Sequence, residues 1–292
     1  MSITGNKSRW LISTDQLADR IKKGDVTVVD GSWYLPAHNR KGFDEYLAGH
    51  IPGAMFFDID EISDHSSDLP HMLPPAHTFE LHMTRLGISN KTDVVVYDGM
   101  GLFSAPRVWW TMHVFGKHNV FILDGGLAKW KQQDRPIEQG MPKVTPSEFL
   151  AKFDANLVAN YDRVAKTLEE HSAQVVDSRP AGRFTGETPE PREGVASGHM
   201  PGSLNLPAND LVENGALASA ARIEAGIAKA GIDLAKPVIT SCGSGVSAAV
   251  LWLALDSVGK QPMALYDGSW SDWGTRDGAP IDTGPAGKPA KQ

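Results

Sequence analysis

The lone cysteine of the chain, Cys242, stands in a short loop whose composition suits nucleophilic sulfur chemistry. After it come Gly243, Ser244, Gly245, Val246 and Ser247. Residues 238–240 read as a buried strand end, and residues 247–255 have the length and apolar character of a packed helix. Two glycines allow the loop to point its backbone N–H groups inward, and these dipoles favour the reactive thiolate. The pattern predicts a nucleophile in place of an inert buried cysteine.

Residues absent from the loop narrow its chemistry. A C-x5-R phosphatase needs an arginine six positions after the cysteine, where this chain has Ala248. A dithiol oxidoreductase needs a second cysteine, which the chain lacks. Chemistry that uses one sulfur on one cysteine remains, namely a persulfide formed from a donor and passed to an acceptor.

The composition limits the class of protein. The 292 residues include 28 Lys and Arg and 35 Asp and Glu, which gives a net charge of -7. This negative charge argues against nucleic acid as a partner. No apolar run has the length of a signal peptide or a membrane span, and no residue cluster has metal-ligand spacing. We therefore expect a soluble cytoplasmic protein without membrane attachment, metal or organic cofactor. A single cysteine fits a reducing compartment.

Strand and helix signals alternate along the chain. Ser13 and Gln16 form a capping box ahead of a helix that stops at Gly24, and residues 26–30 follow as a buried strand. The same alternation continues through residues 93–98 and beyond. Such a pattern predicts an α/β protein with a mainly parallel sheet flanked by helices.

The same motifs occur twice along the chain, in the same order. GHIPGA at 49–54 corresponds to GHMPGS at 198–203, YDGMG at 97–101 to SCGSG at 241–245, and LDGGLAKW at 123–130 to YDGSWSDW at 266–273. We therefore predict two tandem domains, with boundaries at residues 1–140 and 154–292. The Gly, Pro and polar residues of 141–153 predict a linker between them.

Differences between the two halves indicate where function lies. His50 and His199 occupy equivalent places, which favours structural roles for both. Asp98 stands where the second half has Cys242, so the first domain has a carboxylate in place of a thiol. We predict that the first domain is catalytically inactive and helps to shape a site between the domains.

The ordered motifs resemble the tandem rhodanese family, and within it the 3-mercaptopyruvate sulfurtransferases. The likeness rests on the doubled GH-[IM]-PG motif, FSAPRVWW, LDGG, YDGSW and CGSGVSA, and it covers residues 10–278. It implies two rhodanese-like α/β domains, each with a sheet of about five parallel strands. Thiosulfate-using relatives usually carry basic residues in the cysteine loop, so the cation-free Gly243-Ser244-Gly245 favours the mercaptopyruvate type. Ser247 replaces the usual threonine and keeps its hydroxyl.

The resemblance also implies roles for individual residues. Arg183 and Arg192 match the arginines that bind substrate, and a guanidinium fork suits a carboxylate. Gly243, Gly245, Val246 and Ser247 complete the implied binding loop. Ser244 with Asp60 and His71 matches a proposed proton relay, although Asp60 and His71 could instead hold a polar loop at the domain interface. Arg179 is a weaker candidate with a structural role.

The predicted reaction moves sulfur from 3-mercaptopyruvate through a Cys242 persulfide to an acceptor and releases pyruvate. The acceptor would be thioredoxin, a small thiol or, in an assay, cyanide. Two alternatives stay open: a thiosulfate:cyanide sulfurtransferase, and a non-enzymatic persulfide carrier or redox sensor. Paired arginines disfavour a carrier, which has no need of a carboxylate site.

Overall fold

Two five-stranded parallel sheets with flanking helices form the structure, a computed structural model that describes residues 8–287. This confirms the predicted α/β class with two mainly parallel sheets. The first seven residues of the first predicted domain and the last five of the second lie outside the described range.

The first repeat contains five strands and five helices within the described residues. In chain order they are β1 (Leu11–Ile12), α1 (Thr14–Lys23), β2 (Val26–Asp30), α2 (Gly42–Ala48), β3 (Met55–Phe56), α3 (Ala76–Arg85), β4 (Asp93–Tyr97), α4 (Ala105–Val114), β5 (Val120–Leu123) and α5 (Gly126–Gln132). The strands lie in the order β1-β5-β4-β2-β3, and every neighbouring pair is parallel.

The second repeat builds a sheet of the same order and adds a small hairpin. Its elements are β6 (Val158–Ala159), α6 (Tyr161–Glu170), β7 (Gln174–Asp177), α7 (Ala181–Thr185), β8 (Leu204–Asn205), β9 (Val212–Glu213), β10 (Ala216–Leu217), α8 (Ala220–Ala230), β11 (Val238–Ser241), α9 (Ala248–Ser257), β12 (Ala264–Tyr266) and α10 (Ser269–Trp273). The sheet order is β6-β12-β11-β7-β8, which matches the first sheet strand for strand. Strands β9 and β10 pair antiparallel outside it.

Local sequence signals set the first elements as predicted. The Ser13 hydroxyl accepts the Gln16 N–H, and the Gln16 side chain accepts the Ser13 N–H in return, so the capping box is formed. Helix α1 ends at Gly24 in the left-handed region. The strand predicted over residues 26–30 is β2.

The cysteine loop begins at the carboxyl end of a central strand. Strand β11 lies between β12 and β7 with all four of its residues buried, and Cys242 follows it directly. Asp98 follows β4 at the equivalent position of the first sheet. Because ligands of parallel sheets bind beyond the carboxyl ends of strands, both loops lie where a site is expected.

The two repeats share one hydrophobic core. Helices α4 and α9 pack against each other, and one cluster of buried side chains includes Trp109 of α4 with Cys242 and Trp252 of the second repeat. The backbones also meet closely, since a side chain added at Gly101 would overlap the backbone of Gly215. The cysteine therefore lies at the junction of the repeats.

The connecting segment lies along the first repeat. Phe149 is buried and packs edge-on against Phe79, with ring centroids 5.6 Å apart. The Ala151 N–H donates to the Glu80 carboxylate, and the Lys152 N–H donates to the Phe115 carbonyl. These contacts fix the path of the chain between the repeats. Within residues 8–287, no helix combines the length and apolar character needed to cross a membrane.

The close approach at Gly101 gives a stability prediction. Gly101→Ala should lower the free energy of unfolding by roughly 3 kcal/mol, because its new methyl group meets the Gly215 backbone and its φ of 111° disfavours a side chain. Gly53→Ala is the matched control. Gly53 has a φ of 74° with open space around it, so its loss should be about 1 kcal/mol. Urea unfolding measures both, and equal losses would contradict the predicted contact.

Candidate active site

Cys242 is buried and its backbone is fixed on both sides. It is 2 % exposed, its N–H donates to the Ser269 hydroxyl at 3.1 Å, and its carbonyl accepts the Trp270 N–H at 2.9 Å. Ser269 holds this position with a φ of 49°, in the left-handed region that few non-glycine residues adopt. The start of α10 thus anchors the cysteine loop.

The loop after Cys242 presents backbone N–H groups without internal partners. None of the N–H groups of residues 243–248 donates a hydrogen bond to an acceptor within the described chain. Successive free N–H groups in a tight loop can form an anion-binding nest. The arrangement suits a thiolate or persulfide on Cys242 or an anionic donor beside it.

The first repeat shows an anion in the equivalent loop. Both oxygens of Asp98 accept backbone hydrogen bonds of 2.8–2.9 Å, and the donors are Met100, Phe103, Ser104 and Ala105. Burial raises the pKa of Asp98, although these hydrogen bonds oppose the rise. The carboxylate of Asp98 therefore occupies the nest of its own loop.

A pocket of about 230 Å³ opens beside the cysteine and takes walls from both repeats. The first repeat contributes aromatic and apolar side chains, namely Trp33, Leu35, His38, Met100 and Phe103. The second contributes arginines and the cysteine loop, including Arg183, Arg192, Cys242, Gly243, Ser244, Val246 and Ser247. Its size suits a small organic anion.

The glycines of the loop allow two guanidinium groups to approach. A side chain at Gly243 would lie 3.0 Å from the Arg183 Nη2. One at Gly245, whose φ is 77°, would lie 2.8 Å from both the Arg107 Nη1 and the Asp267 carbonyl. At Ser247, the hydroxyl lies 3.0 Å from the Ser178 hydroxyl and ties the loop to the end of β7. Small residues here let charged groups reach the backbone.

Arg183 and Arg192 both line the pocket but differ in their partners. The Nε and Nη2 of Arg183 donate to the two carboxylate oxygens of Glu190. Arg192 forms no ion pair with any of residues 8–287. Burial lowers the pKa of Arg192, and the charge of Arg183 adds to this effect, whereas Cys242 opposes it. Arg192 is thus a half-buried cation facing the thiol.

Arg179 has a different environment. Its guanidinium is 1 % exposed, binds Asp177 and Glu190, and donates to the Gly198 carbonyl at 2.8 Å. It also lies over the Trp270 ring, 4.3 Å from the ring centroid. All of its hydrogen-bonding edges meet protein groups, in agreement with a structural role.

Ser244, His71 and Asp60 form one chain of hydrogen bonds. The Ser244 hydroxyl lies 3.0 Å from His71 Nδ1, and His71 Nε2 lies 3.0 Å from Asp60 Oδ1. Trp33 donates its indole N–H to the other Asp60 oxygen at 3.0 Å and packs edge-on against His71. The structure therefore brings the three predicted relay residues together, with Trp33 as a fourth member.

The ionisation of Asp60 determines which atoms donate in the hydrogen bonds between Asp60, His71 and Ser244. Partial burial opposes ionisation of Asp60, but the hydrogen bond and charge of His71 outweigh it, so the pKa of Asp60 is lowered. An ionised Asp60 accepts a hydrogen bond from His71 Nε2. His71 Nδ1 lies 3.0 Å from the Ser244 hydroxyl and 3.3 Å from the Ser244 carbonyl, so it donates to these oxygens when protonated and accepts from the hydroxyl when it is not. The arrangement has the form of a Ser-His-Asp triad.

Arg107 and Asp267 form a buried ion pair between the repeats. The Arg107 Nη2 donates to Asp267 Oδ1 at 2.7 Å and to the His71 carbonyl at 2.5 Å. The other Asp267 oxygen accepts the Leu73 N–H at 2.8 Å. His71 has a φ of 61°, so these contacts hold a strained backbone in place. The pair positions the relay against the cysteine loop.

Sequence reasoning missed Trp33, Arg107 and Glu190. Arg107 had a usable signal, because the equivalent position of the second repeat is Val250 and a charge unique to one half marks an asymmetric role. Glu190 lies two residues before Arg192, but nothing local shows that its carboxylate turns toward Arg183. Trp33 carried no signal in the sequence.

Comparison with known proteins gives a consistent result. The family model described as Rhodanese-like domain matches residues 13–133 and 160–276. The 3-mercaptopyruvate sulfurtransferase of Escherichia coli strain K12 is 43 % identical over 274 residues, covering 94 % of this chain and 98 % of that protein. Arabidopsis thaliana thiosulfate/3-mercaptopyruvate sulfurtransferase 1, mitochondrial, is 39 % identical and covers 94 % of this chain and 79 % of its own. The crystal structure of SseA from Escherichia coli matches with a TM-score of 0.82 at 42 % identity, over 89 % of this chain and 98 % of that one.

The buried ion pair gives a second stability prediction. Asp267→Asn should cost roughly 3 kcal/mol or more of unfolding free energy, because it leaves the Arg107 charge buried without its carboxylate. Asp256→Asn is the control. Asp256 accepts the Trp10 indole N–H and lies near an exposed arginine. The Asp256→Asn variant should therefore lose only about 1 kcal/mol of unfolding free energy. Similar urea midpoints for the two variants would show that the pair is not a main support of the interface.

Proposed function

The chain belongs to the rhodanese family, with the domain present twice, and we propose that it is a sulfurtransferase whose donor is 3-mercaptopyruvate. Cys242 is the proposed sulfur carrier and pyruvate the first product. The observation that carries this proposal is one pocket that combines the only cysteine with the guanidinium groups of Arg183 and Arg192. A reactive sulfur and a site for a small carboxylate thus lie side by side.

Binding of the donor is assigned to the two arginines. Arg192 has no ion-pair partner among residues 8–287, and its guanidinium fork suits the carboxylate of 3-mercaptopyruvate. Glu190 accepts hydrogen bonds from Nε and from one N–H of Nη2 of Arg183. The Nη1 group and the second N–H of Nη2 remain available to donate to the keto oxygen. The donor would then lie with its sulfur toward Cys242.

Sulfur transfer follows as a displacement at the donor sulfur. The Cys242 thiolate attacks this sulfur, a new S–S bond forms, and the C–S bond breaks with its electron pair moving to carbon. The resulting enolate is conjugated with the keto group, whose oxygen charge Arg183 stabilises. The proton from the donor thiol finishes on the methyl carbon of pyruvate, and the protein keeps the Cys242 persulfide anion.

Moving that proton is the role we propose for Ser244, His71 and Asp60. The Ser244 hydroxyl can accept the thiol proton while passing its own to His71 Nδ1, and the reverse transfer then protonates the enolate. Asp60 stabilises the imidazolium formed in between. The relay returns to its starting state, so it needs no outside proton.

The persulfide is held by the backbone N–H groups of residues 243–248, as the Asp98 carboxylate is held in the first repeat. An acceptor thiolate then attacks the outer sulfur, and the Cys242 thiolate leaves. We propose thioredoxin or a small thiol as acceptor, with cyanide as an assay substitute. A reducing compartment such as the cytoplasm would keep both thiols available.

The first repeat is proposed to be catalytically inactive. Asp98 stands in place of a cysteine and its carboxylate fills the loop nest. This repeat instead supplies Trp33, His71 and Asp60 to the site of the second repeat. We place it at residues 1–140, with the linker at 141–153 and the catalytic domain at 154–292.

Thiosulfate is the alternative donor. The name of the Arabidopsis thaliana relative includes both thiosulfate and 3-mercaptopyruvate. Thiosulfate carries two negative charges, however, whereas the cysteine loop holds no cation and the pocket holds one guanidinium without an ion-pair partner in the described chain. These features favour the singly charged donor.

The proposal is tested by loading the protein with sulfur. After exposure to 3-mercaptopyruvate, intact-protein mass spectrometry should show a gain of one sulfur atom on Cys242 with an equal amount of pyruvate released. Cys242→Ser is the control and should show neither change while keeping the parent far-UV spectrum. Efficient loading from thiosulfate alone would move the protein to the alternative, and turnover by Cys242→Ser would refute the persulfide route.

The role of Arg192 gives a kinetic prediction. Arg192→Ala should raise the KM for 3-mercaptopyruvate roughly 10- to 100-fold, because a charge-assisted contact to the carboxylate contributes about 1.5–3 kcal/mol. Arg222→Ala is the control, since Arg222 is exposed and pairs only loosely with Glu213. A KM within about twofold of the parent in both variants would remove Arg192 from the donor site.

A further inference from the structure

We infer that Glu190 determines donor specificity by limiting the positive charge of the pocket, so that a monoanionic donor is preferred over a dianionic one. The inference rests on the proposed function, because it concerns the donor site of that reaction. Glu190 lies behind the pocket wall, with a side chain only 4 % exposed. It was not among the residues that sequence reasoning assigned to the site.

The charges around the pocket show how this limit arises. Arg179 and Arg183 both bind Glu190, and Arg179 also binds Asp177. Three guanidinium groups, with Arg192 included, therefore face two buried carboxylates, and one positive charge remains. Asp60, which binds His71, is 64 % exposed, so solvent screens much of its charge. The guanidinium cluster matches a donor with a single charge.

Glu190 also determines which edge of Arg183 faces the donor. The two carboxylate oxygens of Glu190 accept hydrogen bonds from Nε and Nη2 of Arg183. The Nη2 group also lies next to the backbone of Gly243. The outer edge with Nη1 is left for a ligand. Since the carboxylate is buried, water does not screen it from the pocket, and its charge acts on any anion bound there.

The consequence differs between donors of different charge. A neutral side chain at position 190 would leave Arg183 uncompensated and add one positive charge to the pocket. Thiosulfate, a dianion, would gain about twice the Coulomb energy that 3-mercaptopyruvate gains. The ratio of kcat/KM for the two donors therefore reports the charge effect and cancels a general loss of activity.

Glu190→Gln is the decisive variant, since glutamine keeps the size and an acceptor oxygen for the arginines. We expect the ratio of kcat/KM for thiosulfate to that for 3-mercaptopyruvate to rise about tenfold. Glu187→Gln is the matched control, because it removes the same charge from an exposed position of the same segment. Its ratio should stay within about twofold of the parent, since solvent screens that charge. An unchanged ratio in folded Glu190→Gln would overturn the inference.

A binding measurement separates this inference from the proposed reaction. Tryptophan fluorescence, with Trp33 in the pocket wall, can follow pyruvate and sulfate binding to Cys242→Ser with and without Glu190→Gln. The added substitution should raise the affinity for sulfate relative to pyruvate by about the same factor. This holds even for a protein that does not turn over 3-mercaptopyruvate. Turnover of that donor without any change in relative affinity would refute only the role of Glu190.

A second variant covers the case in which Glu190→Gln does not fold. Asn209 is exposed at the pocket and takes no part in the arginine cluster, so Asn209→Lys adds a positive charge without disturbing the buried pairs. It should shift the donor ratio toward thiosulfate in the same direction. If it leaves the ratio unchanged, pocket charge does not select the donor and the inference is wrong.

Discussion

The buried ion pair between Arg107 and Asp267 is the interaction on which the site depends. Two charges removed from water are costly unless each finds a full set of partners. Here one guanidinium meets a carboxylate and the His71 carbonyl, and the carboxylate also accepts the Leu73 N–H. The pair thereby joins α4 of one repeat to the strand end before α10 of the other. Together with the hydrogen bond between His71 and Ser244, it fixes the position of the relay relative to the cysteine loop.

One loop design serves opposite purposes in the two repeats. In the first repeat the backbone N–H groups of the loop bind the Asp98 side chain, and in the second those of residues 243–248 have no acceptor within the described chain. A carboxylate that satisfies its own loop stabilises the fold and leaves no reactive group. A thiol at the same position has an anion site beside it. This exchange explains how a duplicated domain can be a scaffold in one copy and carry the chemistry in the other.

Charge in the donor pocket is arranged in layers. Arg179 lies deepest and is fully paired, Arg183 is paired on one edge, and Arg192 faces the pocket without an ion-pair partner in the described chain. Aromatic and apolar side chains from the first repeat, among them Trp33 and Phe103, line the other side. Electrostatic contacts are stronger in such an environment, so small changes in net charge carry large consequences for an anionic ligand.

The sequence by itself determined the α/β class, the duplication and several element boundaries, and it predicted Cys242 as the nucleophile. These follow from local signals, since the capping box at Ser13, the β-branched strands and the glycine loop act over a few residues. Arg183, Arg192, Ser244, His71 and Asp60 were named through family resemblance. In the structure Arg183, Arg192 and Ser244 line one pocket, and hydrogen bonds connect Ser244 to His71 and His71 to Asp60. Only the tertiary structure revealed that Trp33 holds Asp60, that Arg107 crosses to Asp267 and that Glu190 holds Arg183. These contacts join residues from different elements, mostly far apart in the chain, and no local pattern records which side chains meet when two sheets pack.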